Sequence, residues 1–370
     1  MTEPDVSHPE QWLARNNFDL LRLLFAGTVC LVHAYELSGF RELAWIASFL
    51  STAVAVKAFF VVSGFLIFMS HERSTSLGAY AGKRVRRIYP AYLTVVMLCA
   101  LGLAFASARP LAEYFSPAWF KYVLANLVFL NFLQPTLPGV FEANHMSAVN
   151  GALWTLKIEV MFYVSVPVFA YLFRKVPRLP ALLFVYIASV AYFALLTAAA
   201  ERTGSGLYHE LARQLPGQLS YFMSGAFLYY YLPFFVRHKA YFLAAAVAVL
   251  AVDRIVPLPA FEPFALAVVV VFFGLFPYVG NFGKHGDFSY GVYILHFPII
   301  QLFVQAGWFG GSPGLFLSAV VVAVAAGAVL MWHGVEKRFL FRSSHYIAAS
   351  AEKVSRGGTA HTALSGRKEA

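Results

Sequence analysis

Apolar residues in this chain gather into blocks separated by short polar links. Each block lies near the roughly 20 residues that a helix needs to cross a hydrocarbon core. The pattern predicts helical spans over residues 18–35, 44–69, 88–106, 153–173 and 181–199. A second series covers 215–235, 240–252, 263–279, 288–305 and 315–332. Between the third and fourth blocks, residues 107–151 carry Pro110, Pro117, Pro135 and Pro138. The one apolar run in that segment, 120–133, is short and broken by Asn126 and Asn131, so it reads as an interfacial or re-entrant piece. The expected fold is all-α, a polytopic transmembrane helical bundle of about ten spans.

Charge then orients the bundle. Arg73, Lys83, Arg84, Arg86 and Arg87 form a basic loop after the second span. Arg174, Lys175 and Arg178, then Arg237 and Lys239, then Lys284, recur at alternate links. Basic links belong inside, which places both termini in the cytoplasm. The predicted organisation is a membrane domain over residues 1–340 and a basic cytoplasmic tail over 341–370, expected to be disordered. Residues 1–17 are polar and unlike a cleavable signal peptide, so the first span is expected to stay in the mature protein.

Composition agrees with this solvent. Apolar residues make up 60% of the chain and charged residues 12%, against about 45–50% and about 25% in soluble domains. The net charge of +10 sits in links and ends, where it sets topology, so no nucleic-acid partner is expected. Cys30 and Cys99 both fall inside apolar spans, which leaves no disulfide framework and no cysteine zinc site. No P-loop, dinucleotide fingerprint or His-Glu-x-x-His occurs, so neither a metal nor a permanently bound cofactor is expected.

An ionisable side chain inside a bilayer is costly without a partner or a wet cavity, so such residues mark the place to look for function. They are Arg22, His33, Lys57, Lys157, Glu159 and His296. Arg22 and His33 have ten residues between them. Eleven helical steps return to within about 20° of the starting direction and climb about 16 Å, so both share one helix face at two levels. An imidazole at one level is suited to take a hydroxyl proton near neutral pH. The bland reading is that Arg22 snorkels to the headgroups and His33 is a bonded core histidine. Glu159 needs a cation: it either orients His33, as an acid does in a hydrolase triad, or pairs with Lys57 or Arg22. Lys157 reads as snorkelling, and His296 as more structural than catalytic. Arg84, Arg86 and Arg87 orient the chain and also suit a polyphosphate such as the pyrophosphate of coenzyme A. Trp119, Tyr122 and His145 are placed to shape the far mouth, where aromatic residues are also common interface anchors.

These residues resemble the acyltransferase family 3 of integral membrane O-acyltransferases, in order along nearly the whole chain. Phe18-Asp19-Leu20-Leu21-Arg22 running on to His33 is similar to the family's first-span signature of an Arg and a His with ten residues between them. Phe59-Phe60-Val61-Val62-Ser63-Gly64 resembles its second span, and Arg84-Val85-Arg86-Arg87-Ile88-Tyr89-Pro90 its third. Leu153-Trp154-Thr155-Leu156 with Glu159, Phe162 and Tyr163 resembles the fourth, and Ser289-Tyr290 through His296-Phe297-Pro298 to Glu336-Lys337 the closing segments. The resemblance implies a multi-pass enzyme of the bacterial inner membrane that uses acetyl-coenzyme A, or another acyl-coenzyme A, as co-substrate. Its acceptor would be a hydroxyl of a sugar or glycoconjugate beyond the membrane, and its other partners membrane lipids. His33, Arg22 and Glu159 are then the catalytic candidates, and Arg84, Arg86 and Arg87 the acyl-coenzyme A ligands. Trp154, Tyr163, His296 and Asn150 are the acceptor-binding candidates. Whether His33 acts as a base or is itself acylated stays open. Lys57 departs from the family pattern, with Glu159 its expected partner. The rival class is a transporter or exporter of a glycan or small solute, for which paired, broken spans in two halves would be the sign. No such repeat is seen.

Overall fold

Ser51 and Ser76 accept hydrogen bonds from the backbone N–H groups of Val54 (3.3 Å) and Ala79 (3.1 Å), satisfying donors that a helix start leaves free. These caps start α2 (Thr52–Glu72) and α3 (Leu77–Gly102), after α1 (Phe18–Ser38) has ended on Gly39. Gly39 adopts φ 71°, a left-handed cap whose N–H bonds the Tyr35 carbonyl. The structure is a computed structural model that describes residues 15–341 together with Leu13, Ser344 and Tyr346.

A short helix, α4 (Pro117–Leu127), precedes α5 (Trp154–Lys175) and α6 (Arg178–Thr203). There follow α7 (Leu215–Tyr230), α8 (Lys239–Asp253), α9 (Glu262–Leu275), α10 (Ser289–Gln305) and α11 (Pro313–Met331). No strand occurs among the described residues. Each of the ten predicted blocks overlaps one of these helices, and among the described residues six helical segments are long and apolar enough to cross a membrane. The chain is thus an all-helical, multi-pass membrane protein. At 11 residues α4 spans about 16 Å, well short of a bilayer core.

One expectation is corrected here. The basic cluster was expected in a loop, but the Ser76 cap starts α3 early and carries Lys83 to Arg87 as helix. Glu336, within the predicted membrane domain, is buried in a π-helical turn, Trp332–Glu336, that continues α11. The predicted tail over 341–370 lies almost wholly outside the described residues. Ser344 and Tyr346 are described, and Tyr346 is buried.

Packing runs as two joined clusters. α1 lies against α10, α10 against α11, and α1 also against α2, while α7 packs on α2 and α9. The α2–α7 contact depends on small residues. A Cβ on Gly64 would stand 1.9 Å from the Phe222 carbonyl oxygen, and one on Gly225 would stand 2.1 Å from that of Val61. The backbones touch at both levels, as in close membrane-helix packing. Since α2 carries one wall of the central cavity, this contact fixes the wall. Gly64→Ala is expected to destabilise by about 1–3 kcal/mol through overpacking. The check is a lowered melting temperature of the purified protein in detergent; an unchanged value would contradict the packing account.

Candidate active site

α1 brings Arg22 and His33 to one face, as the spacing predicts, but each finds its partners on a distant element. Arg22 Nη1 donates to Asp287 Oδ2 at 2.5 Å, and Arg87 Nη2 donates to the same oxygen. Arg87 Nη1 donates to Glu336 Oε2 at 3.0 Å. The Ser289 backbone N–H (3.1 Å) and hydroxyl both donate to Asp287 Oδ1. The Tyr346 hydroxyl lies 2.7 Å from Asp19 Oδ1 and 3.1 Å from Asp287 Oδ2. Asp287 and Glu336 side chains are each 1% exposed. Burial alone would raise the Asp287 carboxyl, but Arg22, Arg87 and the Ser289 donors outweigh it and hold the group well below the usual carboxylate range.

Beside this compensated cluster is a cavity of about 450 Å³ that opens between α2, α3 and α5. Its wall carries Arg73, Lys83, Arg84 and Arg86. Among the described residues, none of these four has a carboxylate within salt-bridge distance. Arg84 Nη2 donates to Ser70 Oγ at 3.1 Å, its Nε is buried with no hydrogen-bond partner, and its guanidinium stands over the Tyr163 ring. Arg86 is exposed and lies over Phe341 at 4.2 Å. The predicted trio therefore divides: Arg84 and Arg86 face the cavity uncompensated, whereas Arg87 is committed to Asp287 and Glu336. Unpaired guanidinium and ammonium groups around a concave wall are chemically suited to phosphate oxygens.

A second, narrow cavity of about 50 Å³ continues from the first, sharing Arg22, Ser63 and Glu159 with it. It runs between Phe59 and Phe60 of α2, Thr155 of α5 and Tyr293 of α10. Tyr293 Oη and Thr155 Oγ1 are hydrogen bonded at 2.7 Å, and the Tyr293 ring meets His296 edge-on. His296 in turn is bonded to His33, Nε2 to Nδ1, at 2.8 Å. The narrow cavity thus ends one side chain short of the histidine pair.

Several sequence-level pairings are not formed. Glu159 does not touch His33; it accepts the Tyr163 hydroxyl at 2.5 Å on its own helix and lines the junction of the two cavities. Lys57 pairs with Glu262 at 3.3 Å rather than with Glu159, because it faces α9 and Tyr221. The four acceptor-binding candidates do not converge. Tyr163 lines the arginine cavity, and Trp154 lies under Arg213, at 4.2 Å, at the other end of the first half of α5. Asn150 is buried, donating to the Ile294 carbonyl and accepting from Ala152 N–H. His296 is fully buried against His33. Lys157 lies over Phe132. Asp287 and Tyr346 were not singled out from sequence, and Glu336 was noted only as part of a closing segment. The available signal was Asp287-Phe288-Ser289 at the head of an apolar run, a local capping pattern. Among the described residues no cluster of His, Cys, Asp and Glu could hold a metal ion.

The helical membrane bundle thus carries a basic cavity that narrows toward a histidine pair, His296 buried and His33 half-buried. Comparison with known proteins gives the class. The model of the acyltransferase domain family, acyltransferase family 3, matches residues 15–333, and the chain belongs to that family. It is 28% identical over 339 residues to a protein named O-acetyl transferase from Shigella phage Sf6, covering 89% of this chain and 97% of that one. It is also 28% identical over 352 residues to nodulation protein 10 of Rhizobium leguminosarum bv. viciae, covering 87% and 92%. A shorter match, 29% over 125 residues and 34% of this chain, is to acyltransferase MdmB of Streptomyces mycarofaciens, covering 30% of that protein. No solved structure matches the chain.

Removing one partner from a buried ionic cluster leaves the others uncompensated, at about 3–5 kcal/mol. Asp287→Asn is therefore expected to cause a large loss of thermal stability. Because the carboxyl titrates below its ordinary value, its contribution is complete above about pH 4 and is lost as pH falls through the depressed folded-state value. Melting temperatures of wild type and variant should differ widely at pH 7 and converge in acid; equal melting at pH 7 would contradict the clamp.

Proposed function

We propose that this chain is an O-acyltransferase, most specifically an O-acetyltransferase, that carries an acyl group from cytoplasmic acyl-coenzyme A to a hydroxyl of a sugar or glycoconjugate beyond a bacterial inner membrane. The family supports acyl transfer, and the name of the phage relative supports O-acetylation. In this reading the ten apolar helices all cross, with both chain ends on the cytoplasmic side, so that the arginine cavity opens inward.

The observation that carries the donor assignment is the uncompensated wall of Arg73, Lys83, Arg84 and Arg86 around a 450 Å³ cavity that narrows past Arg22 toward His33 and His296. The wall holds the phosphates of acyl-coenzyme A, and the narrow cavity takes the thioester arm while excluding the nucleotide. His33 acts as the base. Its imidazole takes the proton of the acceptor hydroxyl as the hydroxyl oxygen bonds to the thioester carbon; the carbon–sulfur bond then breaks, and the departing sulfur takes that proton to leave as the thiol. The products are the O-acyl ester and free coenzyme A, and the base is restored. Glu159 and Tyr163, at the junction of the two cavities, line the path of the arm rather than orient the base.

Two outcomes test this. In proteoliposomes supplied with labelled acetyl-coenzyme A and an extract of surface glycans, His33→Ala should lower transfer by at least about 100-fold, the lower range for a positioned base. Insertion and melting temperature should stay near wild type; a fully active His33→Ala would end the proposal. Arg84→Ala should raise the KM for acetyl-coenzyme A about tenfold, as loss of one charge-assisted hydrogen bond implies, with kcat little changed. An unchanged KM would remove the donor site from this cavity.

A further inference from the structure

The hydrogen bonds around the two histidines fix which nitrogen of each ring carries its proton. His296 Nδ1 lies 3.2 Å from the Val292 carbonyl oxygen. A carbonyl only accepts, so this nitrogen is the protonated one. His296 is fully buried, packed against the rings of Tyr293 and Phe297. A second proton would place an unpaired cation among apolar groups, so the ring is neutral and its Nε2 is a lone-pair acceptor. The group 2.8 Å from that acceptor is His33 Nδ1, which must therefore be the donor. A neutral His33 then keeps its lone pair on Nε2.

We infer that His296 is a positioning residue that locks His33 in the Nδ1–H tautomer, making Nε2 the one basic atom offered to the acceptor hydroxyl. The inference deepens the proposed acyl transfer and rests on it. In the familiar triad arrangement a carboxylate accepts the base's Nδ1–H; here a neutral imidazole accepts it, anchored by a backbone carbonyl of its own helix. The difference matters in a membrane, because a neutral acceptor adds no permanent charge beside the base. The freed atom faces a fitting environment. His33 is half-buried, and Nε2 lies 3.9 Å from Glu36 Oε2, whose side chain is 50% exposed. When Nε2 takes the hydroxyl proton, the new N–H thus meets a carboxylate at the wetter end of α1, while Nδ1–H stays bonded to His296. The two rings meet edge to edge, 20° from coplanar with centroids 5.1 Å apart, as an in-plane N–H···N bond requires, and the Phe297 ring lies edge-on against His33 to hold that orientation.

The test is a nitrogen NMR spectrum of the full chain, labelled with ¹⁵N-histidine and embedded in lipid bilayers, with the His33 signals assigned by their loss in His33→Gln. In wild type, neutral His33 should show a protonated Nδ1 and an unprotonated Nε2. In His296→Phe, which keeps a ring but removes the acceptor, the Nε2–H form should appear. Acetyl transfer by that variant should fall about 100-fold in kcat, with the KM for acetyl-coenzyme A unchanged. His296→Gln, whose carbonyl oxygen can accept from Nδ1–H, should recover a substantial part of the rate. A wild-type spectrum with the proton on Nε2 would overturn the inference, and would do so even if the variants failed to fold. An unchanged kcat in His296→Phe would overturn it as well. An active His33→Ala would instead overturn the acyl-transfer reading beneath it, so the two failures can be told apart.

Discussion

One buried carboxylate ties the membrane bundle together at its functional end. Asp287, on the link before α10, holds guanidiniums from α1 and α3 on a single oxygen, while its other oxygen is held by Ser289. Three helices that enter the core from different parts of the chain are thereby set in register. The arrangement also decides which cations remain available. Arg22 and Arg87 are compensated and serve as framework, whereas Arg73, Lys83, Arg84 and Arg86 line the cavity with no carboxylate partner among the described residues. A cluster with every cation paired would stabilise the fold and bind nothing; a cluster with none paired could not be buried.

Above that clamp the bundle narrows. Close contact of α2 with α7, made possible by Gly64 and Gly225, sets the wall opposite α5 and α10 and leaves a passage that one flexible arm can fill. Arg22 stands where wide and narrow cavities join, and the histidine pair lies past the far end. In the proposed transfer, the rise of about 16 Å between Arg22 and His33 on α1 is the distance between the level where the donor's charge is held and the level where the proton moves. The polar groups along this route bond in pairs, Tyr163 to Glu159 and Thr155 to Tyr293.

Much of this was legible in the chain because it is local. Ten apolar blocks became helices, and the shared face of Arg22 and His33 follows from helical phase alone. The basic run at Arg84 to Arg87 was legible as a cluster, but its division into paired and unpaired members was not. That division depends on Asp287 and Glu336, which are 200 and 249 residues away from Arg87. The His33–His296 bond joins positions 263 residues apart, and the same distance in sequence hid the acceptor that takes the place of Glu159. Lys57 shows the same lesson: its partner Glu262 lies 205 residues on, across a helix contact that periodicity does not encode. Spacing fixes directions on one helix, while tertiary packing selects the partner each direction meets.

The proposed transfer would leave a chemical mark on a glycan beyond the membrane. The most direct measurement is mass spectrometry of surface polysaccharide, lipopolysaccharide and peptidoglycan from cells with the gene intact, deleted and restored. The account predicts that deletion removes an acyl-sized mass, most specifically an acetyl, from one glycan class, and that restoring the gene returns it. Glycan profiles identical in all three strains, with the protein shown to be expressed in the intact one, would contradict it.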